Sequence, residues 1–271
     1  GIYPVIADVY SAYQGADDVL EGESGDDFLY GGNGSDVLDG GTDNDWLEGE
    51  GGSDVLFGSG GSDVLWGDSN PNTITADAAI SYPNYGNYHY NWRNRQDSAD
   101  GDDFLDGGAG TDYLYGGAGN DVLIGGSGDD YIYGGAGRDT YFFNAGDGID
   151  TVYDPEFQTR TRPDGSTEIV PGINTLVFGA GVDPNTLRLH LGSLAIEYGP
   201  GDVVHFQGFN PDDATTPFSF SEIEFSDGGT LRYEDLINLG FDLDGSAADD
   251  LLTGTSVVDR ITGGTGNDVL A

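Results

Sequence analysis

The chain has 271 residues, of which 49 are acidic and only 8 basic, giving a net charge of -41 and a pI near 4.1, so a nucleic-acid or anionic-membrane partner held by charge is excluded. Only 37 % of the residues are hydrophobic while 48 are Gly, too little apolar material and too much loop-former for an ordinary core, so something besides burial must help the chain fold. Cys is absent, which removes disulfides and thiolate metal sites; no apolar run approaches the ~20 residues of a transmembrane segment, and any export signal is expected outside this stretch.

A degenerate unit, YQGADDVLE, opens the first predicted block, residues 13–67. From Gly22 the chain then counts in nines: GESGDDFLY, GGNGSDVLD, GGTDNDWLE, GEGGSDVLF and GSGGSDVLW, each with Asp sixth and Leu eighth. Residues 68–97 break the count, because Gly67 to Ser98 is an offset of 31, not a multiple of nine. This stretch must bulge from the repeat. A second block, 98–143, runs SADGDDFLD, GGAGTDYLY, GGAGNDVLI, GGSGDDYIY and GGAGRDTYF. Residues 144–241 do not repeat, and 242–271 begin a third block with GSAADDLLT, GTSVVDRIT and GGTGNDVLA, as if cut from a longer chain.

The unit reads as six residues of turn and three of strand. Glycines at positions one, two and four permit positive φ, so successive carbonyls can turn toward one place. Asp at position six adds a carboxylate. In a three-residue strand only the eighth side chain points inward. Two units make a coil, and stacked coils make two parallel sheets around a thin aliphatic core, an all-β parallel β-roll. One turn then lies over another two units along, so Asp27 neighbours Asp45 and Asp36 neighbours Asp54. Stacked carboxylates repel, and a hard cation with six or more oxygen ligands is the remedy; Ca²⁺ fits this better than Mg²⁺, while Zn²⁺ or Cu²⁺ would want His or Cys. The predicted ligands are Asp18, Asp27, Asp36, Asp45, Asp54, Asp63, Asp103, Asp112, Asp121, Asp130, Asp139, Asp250, Asp259 and Asp268, with backbone carbonyls of Gly32, Gly34, Gly108, Gly110, Gly117, Gly119, Gly126 and Gly128. Asp259 fits least well, since its unit lacks the second and fourth glycines. On the order of ten ions would cancel about half of the excess charge.

These units match the pattern G-G-x-G-x-D-x-U-x, and the chain resembles the repeat-in-toxin (RTX) haemolysin-type calcium-binding repeat proteins. The resemblance implies a β-roll with Ca²⁺ between its turns. It also implies a larger Gram-negative exoprotein, a toxin, adhesin or exoenzyme, that leaves through a type I secretion system and folds on reaching extracellular or cell-surface calcium. Residues 144–241, with alternation in 187–191, 194–198, 203–206, 221–225 and 230–233 and a helical turn at 234–239, resemble the haemolysin-type calcium-binding related region, expected as a small β-rich cap on the open end of the roll. Asp147 and Asp150 are read either as a further ion site or as a surface turn.

The insertion at 68–97 concentrates Tyr82, Tyr85, Tyr88, Tyr90, Trp92, Arg93 and Arg95. One reading is a glycan or receptor contact through Tyr85, Tyr88 and Trp92. The other folds the segment over the outward residues Phe28, Tyr30, Trp46, Val64 and Trp66, too apolar a patch to leave bare. No catalytic motif is found. His190 and His205 sit in strand-like alternation, where a surface or packing role is expected. Asp154-Pro155 and Asp183-Pro184 are bonds of the type that some RTX proteins cleave themselves, but the self-cleaving module is not matched, so the chain is read as no enzyme.

Overall fold

The computed structural model describes residues 9–10, 16–68, 101–154, 158–161, 167–170, 174–190, 194–214 and 219–271. Within the long blocks most units form one strand six residues long where three were predicted: Phe28–Asn33, Val37–Thr42, Trp46–Gly51 and Val55–Gly60 each run from position seven through position three of the next unit. The extension has a simple cause. The leading glycines carry the same backbone donors and acceptors as the aliphatic half, and stacking coil on coil pairs them too, with Gly32 opposite Glu50 and Asn33 opposite Gly51.

The inward set is also larger than predicted. Position eight is fully buried from Leu29 to Leu123, and the position-six carboxylates of Asp27, Asp36, Asp45, Asp54 and Asp63 are buried beside it. Position one is buried as well, and its glycine does not take positive φ, contrary to expectation; positions two and four do, even where a side chain is present, as at Glu23, Asp43, Glu50 and Ser59. Position one needs glycine for room. A Cβ on Gly31 would stand 2.6 Å from Asp36 Oδ2 and 2.8 Å from the Gly49 carbonyl oxygen.

Alternate units feed opposite sheets. Among the described residues one sheet has 12 strands and the other has 9, and within the repeats all pairings are parallel. The two long blocks form one continuous roll, because Val55–Gly60 pairs with Phe104–Ala109 and Val64–Asp68 with Tyr113–Ala118 across the insertion. The non-repeating region does not plug the end of the roll but prolongs both sheets. Asn174–Phe178 adds in parallel to Thr140–Phe143, and Asp202–Phe206 adds to Ile149–Val152. Antiparallel strands follow: Leu194–Gly199 lies between Asp202–Phe206 and Arg188–His190, and Thr230–Arg232 flanks Phe220–Phe225. The predicted strand pair thus forms, while the turn at 191–193 lies outside the described residues. A helix, Tyr233–Ile237, buries Tyr233, Leu236 and Ile237.

Aromatic packing thickens the core here, with the Phe143, Phe178 and Tyr198 rings in mutual contact. The roll then resumes, as Asp259–Thr262 pairs with Phe241–Asp244 and Leu251–Leu252 with Val269–Leu270. Arg260 fastens the join by donating to Asp242 and to the carbonyls of Leu239 and Gly240.

Candidate metal centre

The turns at position six form a ladder. The backbone N–H of each Asp donates to Oδ1 of the Asp one coil further on: Asp27 to Asp45 at 2.8 Å, Asp36 to Asp54 at 2.8 Å, Asp45 to Asp63 at 2.7 Å and Asp112 to Asp130 at 2.9 Å. The insertion leaves the ladder intact, since Asp54 donates to Asp103 and Asp63 to Asp112, each at 2.7 Å. Oδ1 is thereby satisfied, whereas the Oδ2 atoms of Asp36, Asp45, Asp63, Asp112 and Asp130 are buried without a donor. A buried carboxylate with an orphaned oxygen is costly. Burial, only partly offset by the backbone donor and aggravated by neighbouring carboxylates, pushes the pKa of Asp45 and Asp112 to about 7, Asp63 to about 8 and Asp130 to about 6.

Oxygens of a second kind surround the ladder. The carbonyls of Gly34, Gly110 and Gly119 point along the stack so closely that a Cβ on Gly52, Gly128 or Gly137 would stand 1.5, 1.6 and 1.4 Å from them. Those of Gly108, Gly117 and Gly128 do the same to Gly126, Gly135 and Gly148. Gly32 and Gly126 occupy the same turn position with φ of 102° and 99°. Among the described residues no three acidic or His side chains form a metal-holding group. Orphaned carboxylate oxygens, close-packed carbonyls and the lack of N or S donors in the turns fit a hard, oxygen-loving cation.

Sequence reasoning missed a second ladder at position five. There the earlier side chain accepts from the later backbone: Asn44 N–H to Asp26 Oδ1 at 3.0 Å, Ser62 N–H to Asn44 Oδ1 at 2.9 Å, Asn120 N–H to Asp102 Oδ1 at 2.7 Å. Position five is Asp, Ser, Asn or Thr in every long-block unit except the one holding Arg138, and that restriction was the available signal. Its opposite direction to the inner ladder lets both fix the same coil spacing.

Each inner ladder ends beyond the regular count, one on Asp150, sixth in the degenerate unit AGDGIDTVY of residues 145–153, the other on Asn174, outside the nonapeptide pattern. On one sheet Asp150, buried, accepts from Asp130 N–H at 3.1 Å, so it continues the stack instead of forming a plain surface turn. On the other, Asn174 replaces Asp. Its Oδ1 accepts from Asp139 N–H at 2.8 Å, and its amide donates to Asp154 Oδ2 at 2.6 Å and to the Ser219 carbonyl at 2.9 Å. Asp154 also accepts from the Tyr141 hydroxyl at 2.6 Å, and Asp183 accepts from Asn185 N–H at 2.9 Å to cap a 3-10 turn. The aspartates of both Asp-Pro pairs therefore hold structure.

The third block differs. Oδ2 of Asp250 accepts from Ser246 N–H, and Oδ2 of Asp259 from Thr255 N–H, each at 2.7 Å. Neither Ser246 nor Thr255 takes the positive φ usual at position two, so the turn directs its own donor at the oxygen that has none at Asp36, Asp45, Asp63, Asp112 and Asp130. Asp268 is half-buried and accepts from Asp250 N–H at 3.0 Å, as in the long blocks; at the other end Asp18 N–H donates to Asp36 at 2.7 Å.

Tyr85, Tyr88, Trp92 and the rest of the aromatic insertion lie outside the described residues. The outer face of the larger sheet carries an aromatic row of its own: Trp66 stacks on Tyr115 at 4.0 Å and 9°, and Tyr113 on Tyr131 at 5.0 Å and 7°. This stacking stitches neighbouring coils together, while Tyr113 and Tyr131 stay 40 % and 47 % exposed. In the same row Glu48 is buried, accepts from Trp46 Nε1 at 2.8 Å, and has its pKa pushed by burial to about 7. His190 pairs with Glu197 at 2.9 Å across the hairpin, and burial lowers the pKa of His205.

A parallel roll whose turns stack buried carboxylates against carbonyl oxygens is a cation-binding solenoid. The family described as RTX calcium-binding nonapeptide repeat (4 copies) matches residues 14–47, 39–74, 98–123, 115–152 and 244–271. These segments cover just over half of the chain, and the chain belongs to that family, whose repeats bind calcium. No curated protein matches it at a significant level. No helix among the described residues is long and apolar enough to cross a membrane.

Proposed function

We propose that this chain is the calcium-responsive folding module of a larger protein that leaves a Gram-negative cell through a type I secretion system and becomes ordered in the calcium outside. The observation that carries the reading is the row of buried position-six carboxylates, each with one oxygen held by the preceding coil and, at Asp36, Asp45, Asp63, Asp112 and Asp130, a second oxygen with no donor. In this reading the carboxylates from Asp27 to Asp139 and the carbonyls at positions two and four hold the ions. Bound Ca²⁺ supplies the positive charge that the chain, with its net charge of -41, lacks. Oδ1 fixes the coil spacing through the backbone, the glycines keep the approach open, and Leu at position eight excludes water. Asp250 and Asp259, closed by Ser246 and Thr255, are left out of the ligand set. Residues 144–241 serve as the β-rich end of the roll.

Metal affinity then becomes folding free energy, so a chain expanded in low calcium turns into a rod when the ion is present. The test is a chelator titration followed by far-UV circular dichroism and hydrodynamic radius. Loss of strand signal with swelling is expected, and a spectrum and radius that ignore the chelator would defeat the reading.

A further inference from the structure

Of all the Asn residues in the chain only Asn33 is followed by Gly. A glycine nitrogen has no neighbouring Cβ to hinder it, so Asn33–Gly34 is the place where the backbone can most readily turn on a preceding side-chain amide. The roll forbids that step. Asn33 ends the strand Phe28–Asn33 opposite Gly51, and Gly34 N–H donates to the Gly51 carbonyl at 2.8 Å. Gly34 is also wedged against the preceding coil, where a Cβ would stand 2.2 Å from the Ala16 carbonyl oxygen. A nitrogen bonded on one side and packed on the other neither gives up its proton nor swings toward the Asn33 side chain.

The residues just beyond Gly34 carry both ladders of the first block. Ser35 N–H donates to Asp17 Oδ1 at 3.0 Å, Asp18 N–H to Asp36 Oδ1 at 2.7 Å, and Asp36 N–H to Asp54 Oδ1 at 2.8 Å. An atom added to the main chain at Asn33 would therefore put Ser35 and Asp36 out of step with the coils on either side.

We propose that Asn33–Gly34 is a modification site guarded by calcium. While the chain is expanded, the Gly34 nitrogen loses its proton and attacks the Asn33 side-chain carbonyl carbon, ammonia leaves, and a cyclic imide forms. Water then opens the ring at either carbonyl, leaving aspartate or isoaspartate at position 33. Aspartate adds only a charge. Isoaspartate routes the main chain through the former side chain, one methylene longer, and the turn that bears Asp36 no longer fits its neighbours. A chain kept without calcium thus loses its capacity to fold by an irreversible chemical step, and calcium sets how long it stays competent. The proposal rests on the calcium-binding reading above.

The test holds the whole chain at mildly alkaline pH for matched times in chelator and in calcium, beside Asn33→Ala, which places at position three the residue found there as Ala109, Ala118 and Ala136. Peptide masses and a protein isoaspartyl methyltransferase assay then read the conversion. One ion bound at ten times its dissociation constant lowers the unfolded population about tenfold, so conversion at Asn33 is expected to run at least about tenfold faster in chelator. Asn120 and Asn267, each followed by Asp, should show no comparable change. On return to calcium the aged wild type should regain less strand signal in circular dichroism than aged Asn33→Ala, in proportion to its isoaspartate. Equal conversion with and without calcium, or an isoaspartate-bearing chain that refolds fully, overturns the proposal. A chain that keeps its strand signal in chelator overturns the calcium reading instead; urea then takes the chelator's place, and conversion that fails to follow unfolding refutes the modification site as well.

Discussion

Replacing Asp63 by Asn separates cation binding from ordinary packing, because its effect should change sign with calcium. Asp63 is fully buried, takes Asp45 N–H on Oδ1 at 2.7 Å, and has its pKa raised to about 8 by burial. Asn keeps that acceptor. Its amide falls where Oδ2 and the Gly107 carbonyl both crowd Gly58, each 2.6 Å from a Cβ built there, so a partner is at hand. Without calcium the variant replaces a carboxyl that burial keeps from ionising with a neutral amide of the same shape, and should keep as much strand signal as the wild type, or more. With calcium it loses a charged ligand: at ten times a dissociation constant of about 10⁻⁴ to 10⁻³ M, one ion contributes about 1.4 kcal/mol of stability. The assay is a calcium titration and a urea melt followed by fluorescence of Trp46 and Trp66, which flank this coil. A rise in the calcium midpoint with no loss in chelator is expected; equal destabilisation in both conditions would refute the reasoning.

Asp121→Ala should cost more than Asp268→Ala, because the first leaves buried Asp103 N–H without its acceptor, about 1–3 kcal/mol, while the second frees a half-exposed donor at the outermost coil; matching losses of calcium-induced circular dichroism would contradict this. Asn174→Asp removes the donor to Asp154 and sets two carboxylates together, so a loss of roughly 3 kcal/mol is expected in urea melts with calcium present, and wild-type stability would discount Asn174 as the link between the ladder and Asp154. Glu48, raised from its ordinary 4.5 to about 7, contributes stability that is full below the usual carboxylate range and lost as pH rises through about 7. Glu48→Gln retains an acceptor for Trp46 and should stabilise by roughly 3 kcal/mol at pH 8 and by almost nothing at pH 4.5. Urea midpoints at the two pH values in saturating calcium check this, and a pH-independent difference would count against it.

Much of the roll was visible in the residues because its rules repeat every nine positions. Leu at position eight, Asp at position six and the two-unit coil follow from period and alternation, and the pairings of Asp27 with Asp45 and Asp36 with Asp54 come out as the spacing requires. The reading failed where a residue's task depends on the neighbouring coil. Glycine at position one was assigned to backbone freedom, yet Gly31 serves to let Asp36 and the Gly49 carbonyl approach, a contact that nothing within one unit contains. The position-five ladder escaped for a similar reason: Ser, Asn and Asp look like ordinary turn residues until the next coil supplies the donor.

The amino-acid order alone determined the architecture, through its nine-residue period, and the kind of ion, through acidic turns that carry oxygen donors and no Cys or His. Tertiary structure decided where the stack stops and which carboxylates remain open. Asp154, Asn174 and Ser219 meet across 65 residues of sequence, and Ser246 and Thr255 close Asp250 and Asp259 within their own turns. Chain folding brings these groups together once and not periodically, so no repeat in the sequence could announce them.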